Sequence, residues 1–245
     1  FGGHKYPRLA HVGDRTGLEM IRTLQDRGVH QGLQVYMETT IVHLFVSGGK
    51  IAGAFGYERQ TGNFVLYRAP AVILATGGVG KSYKITSNSW EYTGDGQSLA
   101  YRAGAELIDM EFLQFHPTGM VWPPGVMGLL VTEGVRGEGG ILRNSKGERF
   151  MWKYLPEYRR HEYAADEDEA SAWLEASVAL KQTDARRPPE LSTRDNVARA
   201  IYTEVKEGRG TPHGGAFLDI SYLPAARVRK KLPSMYDQLK ALADV

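Results

Sequence analysis

The 245-residue chain contains no cysteine, which excludes disulfides and thiolate-held metals and is compatible with a reducing compartment. Charge of one sign is also in short supply. Thirty basic residues against 28 acidic ones leave a formal net charge of +2, and no basic stripe with interleaved aromatics points to a nucleic-acid partner. Long apolar runs are missing. The stretches Ala69 to Ala75 and Val126 to Val131 fall far short of the roughly 20 residues that span a bilayer, so membrane association has to go through a partner. The histidines His30, His43, His161 and His213 lack ligand spacing, and no metal is expected. The start, Phe1-Gly2-Gly3-His4, has no initiator methionine or signal segment, and Ala241 to Val245 carries no terminating feature. The chain therefore reads as the middle of a longer protein.

What is present is alternation of local patterns. Asp14 to Arg27 places Leu18, Ile21 and Leu24 at helical spacing, with Asp14 as N-cap candidate and Gly28 as stop. Gln34–Glu38, Ile41–Ser47, Ile51–Glu58 and Asn63–Tyr67 are β-prone runs broken at Gly48-Gly49 and Thr61-Gly62, a strand leading into a three-stranded meander. Ala71 to Ala75 is continuously apolar and ends in Thr76-Gly77-Gly78, as expected of a buried parallel strand with a ligand at its carboxyl end. Thr93 to Ala103 follows as a helix with Leu99, Ala100 and Ala103 inward.

This order predicts an α/β fold: the second half of a Rossmann-like dinucleotide-binding domain, residues 1–113, in which a β-meander replaces a crossover. No Gly-x-Gly-x-x-Gly turn follows a strand anywhere, which places the phosphate-binding turn upstream. From Phe112 glycine, proline and loops dominate, and after Arg149 the chain becomes helical and charged. Residues 114–245 are assigned to an incomplete α+β capping domain. Within it, Asp166-Glu167-Asp168-Glu169 with Trp173, Leu174 and Leu180 reads as a solvated amphipathic helix, and Arg187-Pro188-Pro189-Glu190 as a linker.

Two glycine-rich stretches carry possible chemistry. Ala75 to Ser82 satisfies a loose nucleotide P-loop pattern. A P-loop needs a helix that starts at Lys81-Ser82 and a second strand ending in a metal-holding aspartate. Tyr83 to Ser89 lacks helical periodicity and Asp109 has a short apolar lead, so phosphate hydrolysis is a remote reading. The second stretch runs from Phe115-His116-Pro117-Thr118-Gly119 to Thr132-Glu133-Gly134-Val135-Arg136-Gly137-Glu138-Gly139-Gly140. A histidine, a hydroxyl, carboxylates and a planar cation in a backbone that approaches ligands closely form a site for a small anion. A surface loop with ordinary turn glycines is the plain alternative.

These segments, with Asp14-Arg15-Thr16-Gly17, Ala75-Thr76-Gly77-Gly78, Thr93-Gly94-Asp95-Gly96 and Glu207-Gly208-Arg209-Gly210, resemble the flavoprotein subunit of succinate dehydrogenase and fumarate reductase over nearly the whole chain. L-aspartate oxidase shares the His-Pro-Thr and Arg-Gly-Glu-Gly elements; the Glu-Gly-Arg-Gly segment fits the dicarboxylate dehydrogenases better. Against that family, residues 155–190 resemble an insertion with a structural or partner-facing role.

The resemblance implies FAD as cofactor, touched by Ala75, Thr76, Gly77, Gly78 and Asp95. Neither His4 nor His11 matches the family's flavin-linking histidine. It implies interconversion of succinate and fumarate, with His116 and Thr132 binding substrate carboxylate, Arg209 exchanging the proton with substrate carbon, and Glu133 with Arg136 relaying it to solvent. It also implies an iron–sulfur subunit, a membrane anchor complex, and a cytoplasmic, peripheral place at the inner face of the membrane. Reading the residues without the family leaves the base open. Free arginine holds its proton above about pH 12, so Glu133 or His116 would be chosen first, and Arg209 at the end of a helix through Val197, Ile201 and Val205 can simply complement the helix dipole.

Overall fold

A computed structural model describes residues 10–179 and 181–243. The chain divides into two compact units, Ile21–Leu113, and Gln114–Val245 together with Phe1–Met20. A 3-10 turn, Gly13–Arg15, leads into helix α1 (Thr16–His30). Asp14 does not cap that helix: its carboxylate accepts the Met235 amide at 2.9 Å. Gly28 does not stop it either. The turn comes at Gly32, whose φ of 70° is the left-handed conformation that closes a helix end. Leu18, Ile21 and Leu24 are exposed, so the apolar stripe of α1 is not covered by described residues.

The unit Ile21–Leu113 is built on an antiparallel meander, β1 (Thr39–Ser47), β2 (Lys50–Glu58) and β3 (Phe64–Arg68), with β2 in the centre. Gly48 and Gly49, both at positive φ, form the two-residue turn whose twist suits a hairpin. β2 carries glycine where its neighbours press closest: a Cβ at Gly53 would meet the Tyr67 carbonyl oxygen at 2.1 Å, and one at Gly56 the Thr40 oxygen at 2.2 Å. Leu44, Ala54 and Leu99 form the core, with α2 (Asp95–Arg102) laid on it.

Two expected strands do not form. Gln34–Glu38 is irregular and turns, because Glu38 sits at φ 53° and its carbonyl accepts the Arg59 amide. Ala71–Ala75 has no regular secondary structure and no strand partner among the described residues. Val72 joins the core while Ile73 is 91% exposed. A parallel strand is buried only when neighbours flank it on both sides, and the described residues offer no such neighbours.

In the other unit, α3 (Glu133–Gly137) precedes β4 (Ile141–Arg143), followed by α4 (Glu167–Val178), α5 (Arg194–Lys206), β5 (Phe217–Asp219), α6 (Ala225–Lys231) and α7 (Pro233–Ala243). β4 and β5 pair antiparallel. One core packs Leu142, Phe150 and Met151 against Val197 and Ala200 of α5, and another packs Val131 and Val135 against Leu232 and Met235. Each large apolar side chain so buried contributes about 1.5–3 kcal/mol.

Helix α4 is capped as its sequence demands, Asp166 accepting the Glu169 amide at 2.9 Å. Leu180 lies outside the described residues. The linker reading of 187–190 is overturned. Pro189, Glu190 and Leu191 are buried, because Glu190 is the acceptor for a buried arginine and its segment closes the unit.

Candidate active site

The stretch from Thr118 to Val131 folds back on itself. Val131 donates its amide to the Thr118 carbonyl at 2.9 Å, and the buried Thr118 hydroxyl returns a bond to the Val131 carbonyl at 2.8 Å. This closure brings the flanking segments that carry His116 and Thr132 to one end of the loop. Pro117 keeps His116 out of helix. The Thr118 amide approaches His116 Nδ1 at 3.4 Å, so Nδ1 is the acceptor and the ring proton belongs on Nε2. Burial, reinforced by the charges of Arg194 and Arg136, lowers the His116 pKa to about 4. At neutral pH the ring is an uncharged donor.

Thr132 is the N-cap of α3: its Oγ1 accepts the Gly134 amide at 3.3 Å. The hydroxyl proton is not used in that bond. Glu133 opens α3 and Arg136 lies one turn on, with Arg136 Nη2 3.8 Å from Glu133 Oε2. The Arg136 side chain has no exposed surface. Its Nη1 donates to the Glu190 carbonyl at 2.7 Å, whereas Nε and Nη2 have no hydrogen-bond partner among the described residues. Burial lowers the Arg136 pKa below the ordinary arginine value.

A second arginine completes this group. Arg194, the first residue of α5, donates from Nε to Glu133 Oε2 at 3.1 Å and from Nη1 to Gln114 Oε1 at 3.2 Å. Sequence reading passed over it. The available signal was a cation in the first turn of a helix, where the dipole favours an acid.

Arg209 is held elsewhere in the same unit. It lies beyond the C-terminal end of α5, where Nε and Nη2 grip the buried Glu204 carboxylate at 2.8 and 2.7 Å; Nη2 also reaches Glu207 and the Tyr154 hydroxyl. These carboxylates raise its pKa further above the ordinary arginine value. Its hydrogen bonds therefore join it to a structural carboxylate network, with none to Glu133 or Arg136. The dipole-complementing alternative describes its position.

In the unit Ile21–Leu113, Thr76-Gly77-Gly78 lies against the start of α2. A Cβ at Gly96 would come 1.8 Å from Thr76 Oγ1, and one at Gly77 2.6 Å from the Tyr92 ring. Gln97 donates to the Gly77 carbonyl at 3.2 Å, and Thr93 to the Asp95 carboxylate at 2.7 Å. Ala75, Thr76, Gly77 and Asp95 are exposed, and a Cβ at Gly78 would meet nothing within 4 Å. The P-loop reading fails here. Gly80–Ser82 is a single 3-10 turn, and Lys81 stacks over the Trp90 ring at 3.1 Å with no helix N-terminus behind it to cradle phosphate.

The family model for an FAD-binding domain matches residues 1–245. The chain belongs to the FAD-binding domain family. Its relatives include a component of the fumarate reductase (CoM/CoB) of Methanothermobacter marburgensis, 45% identical over 96% of this chain and 37% of that protein. The succinate dehydrogenase flavoprotein subunit of Rickettsia bellii is 34% identical over 99% of this chain and 35% of its own length. Among solved structures, E. coli quinol fumarate reductase FrdA superposes with a TM-score of 0.81 at 32% identity, covering all of this chain and 39% of that one. Sdh1 of Mycobacterium smegmatis, solved in complex with UQ1, is 55% identical with a TM-score of 0.66, covering all of this chain and 38% of that one. The chain thus spans well under half the length of these relatives, and the α/β flavoprotein fold and the family resemblance are borne out. FAD is the cofactor of the family. The glycine-lined turn at 76–78 fits it: bare backbone stands open at Gly78 while the opposite side is filled by α2 and Tyr92.

Proposed function

We propose that this chain is part of the flavoprotein subunit of a succinate dehydrogenase or fumarate reductase, and that it holds the proton-handling side of the dicarboxylate site. One observation carries the reading: the Glu133 carboxylate is shared between Arg194 at 3.1 Å and the buried Arg136 at 3.8 Å, in the group that also holds the neutral His116. Interconverting succinate and fumarate moves a hydride from or to one carbon and a proton from or to its neighbour. FAD supplies the hydride acceptor or donor when bound. The protein has to hold a dianion and conduct the proton.

His116, through Nε2–H, and Thr132, through its hydroxyl, are suited to donate to a substrate carboxylate, because neither costs the site a second buried cation. Arg194, whose side chain is 42% exposed, takes the proton-exchanging role that the family resemblance had suggested for Arg209. An arginine gives up a proton only if a base returns one at once. Glu133, bonded to Arg194 Nε, can do so. Arg136 is the next group in line, and its lowered pKa suits it to pass a proton along.

Ala75, Thr76, Gly77, Gly78 and Asp95 are proposed to face the cofactor within a 1–113 FAD-binding part, with 114–245 as capping part. The remainder of the subunit supplies the phosphate-binding turn and further substrate contacts. An iron–sulfur subunit exchanges electrons with the flavin. A membrane anchor holds the complex at the cytoplasmic face, in keeping with the lack of any membrane-crossing helix among the described residues. The test is turnover of the full-length flavin-loaded enzyme with Arg194→Lys beside Arg209→Lys. Loss in the first alone supports the assignment. Loss in the second alone returns the role to Arg209, and turnover of L-aspartate in preference to dicarboxylates would reassign the substrate.

A further inference from the structure

A polar cavity of about 230 Å³ lies within the unit that carries Arg136. Arg136, Asp219 and Tyr222 line it on one side, and α4 contributes Glu167 and Ser171. It has room for several waters, each of which occupies roughly 30 Å³. Arg136 is fully buried, lines this cavity, and has two nitrogens, Nε and Nη2, whose N–H bonds find no acceptor among the described residues. Buried donors of that kind are uncommon in folded proteins and are ordinarily met by water.

The guanidinium is not loose. Its Nη1 is tied to the Glu190 carbonyl at 2.7 Å. The Glu190 side chain, 1% exposed, is clamped by both Nε and Nη2 of Arg149 at 2.8 and 2.7 Å. Arg136 is thus pinned between the Glu133 carboxylate and the cavity.

We propose that this cavity is the aqueous port through which Arg136, and behind it Glu133, exchanges protons with bulk solvent, and that α4 is its outer wall. The inference rests on the proton-relay reading of Glu133, Arg136 and Arg194. In the outward direction an N–H proton of Arg136 passes to a cavity water as the protonated Glu133 hands its own proton to Arg136. The guanidinium ends with its charge unchanged, Glu133 ends as carboxylate, and bulk water takes the proton. The inward direction reverses each transfer. The 155–190 segment, which sequence patterning left with no chemistry, thereby governs access of water to the relay.

Ser171 stands on the exposed side of α4, so it can be enlarged without opening the core. In the full-length flavin-loaded enzyme, Ser171→Trp should slow fumarate reduction about tenfold, a share of the 10²–10⁴ that positioned proton transfer supplies. It should also raise the solvent deuterium isotope effect, leave malonate affinity unchanged, and leave Ser171→Ala at wild-type rate. Glu167→Lys gives a second, independent arm: a cation at the mouth should slow proton uptake at low ionic strength and recover with salt. Wild-type turnover and isotope effect in both Ser171→Trp and Glu167→Lys, alongside an impaired Glu133→Gln, would overturn the port and leave the relay standing. An unimpaired Glu133→Gln would overturn the relay, and the port with it.

Discussion

Two clusters in the same unit are written in the same residue types and behave in opposite ways. Around Glu204 the carboxylate receives two N–H groups of Arg209, the Tyr154 hydroxyl at 2.5 Å and Asn144 Nδ2 at 2.9 Å. That many donors, Arg209 first, hold its pKa at about 2, and the same contacts push the Arg209 pKa up. Around Glu133, Arg194 is at hydrogen-bond distance, Arg136 is farther off with Nε and Nη2 unmet among the described residues, and burial lowers the pKa of both Arg136 and His116. A saturated ion network resists proton movement, because every transfer breaks a charge-assisted bond. An undersaturated one can pass a proton and finish no worse bonded than it began. Arginine identity alone does not separate the two; donor and acceptor accounting does.

The sharpest way to break this comparison is Arg194→Lys in the full-length enzyme. It keeps the charge and loses the fork that reaches both Glu133 and Gln114, and turnover should fall by roughly 10³-fold, within the range of positioned acid–base catalysis. Arg209→Lys should change turnover by no more than about threefold while lowering the urea midpoint, since the chemistry it loses is structural. Equal kinetic losses in the two variants would erase the distinction.

Next in size is Arg149→Ala, which leaves Glu190 buried without its partner. Calorimetry or urea unfolding should show a loss of about 3–5 kcal/mol. The survivor at low temperature should be slow in turnover while binding malonate normally, because Arg136 is no longer pinned.

Smaller still is His116→Ala. Removal of one neutral donor should weaken malonate binding by about 1–3 kcal/mol, or roughly tenfold to a hundredfold, with flavin retained. An unchanged malonate titration would make the His-Pro-Thr loop scaffolding.

The subtlest contrast is in the pH dependence of stability. His116 titrates in the folded protein at about 4, below the unfolded value of about 6.5, so the unfolded chain binds the extra proton in between. Stability should fall as pH drops from about 6.5 to 4, and His116→Gln should flatten that slope. Glu204, at about 2 folded, contributes stability that is present above about 4.5 and lost as pH falls through 2, so Glu204→Gln should act in the lower window. Urea midpoints across pH 2–8 separate the two.

Much of the fold was legible in the sequence. The meander follows from β-prone runs broken by Gly48-Gly49 and Thr61-Gly62, and α2 and α5 follow from apolar spacing. Errors came where local pattern had no say. Ala71–Ala75 has the composition of a buried strand, but pairing is a property of neighbours, and Ile73 stands exposed. Pro188-Pro189-Glu190 has the composition of a linker, yet Glu190 is buried by an arginine 41 residues away. Arg209 sits in the matching motif, and Arg194 is the arginine that reaches Glu133.

The sequence by itself determined the chemistry available: a histidine fixed ahead of a proline, a threonine beside a carboxylate with an arginine three residues on, and glycines where backbone has to approach a partner. These depend on residues within a turn of each other, and local sterics and hydrogen bonding decide them. Only the tertiary structure decided which second arginine joins Glu133, which of its own protons Arg136 leaves unbonded, and where water can reach them. The first of those relations holds between residues 61 positions apart, and all are settled by packing at ångström scale, where a hydrogen bond either forms or does not.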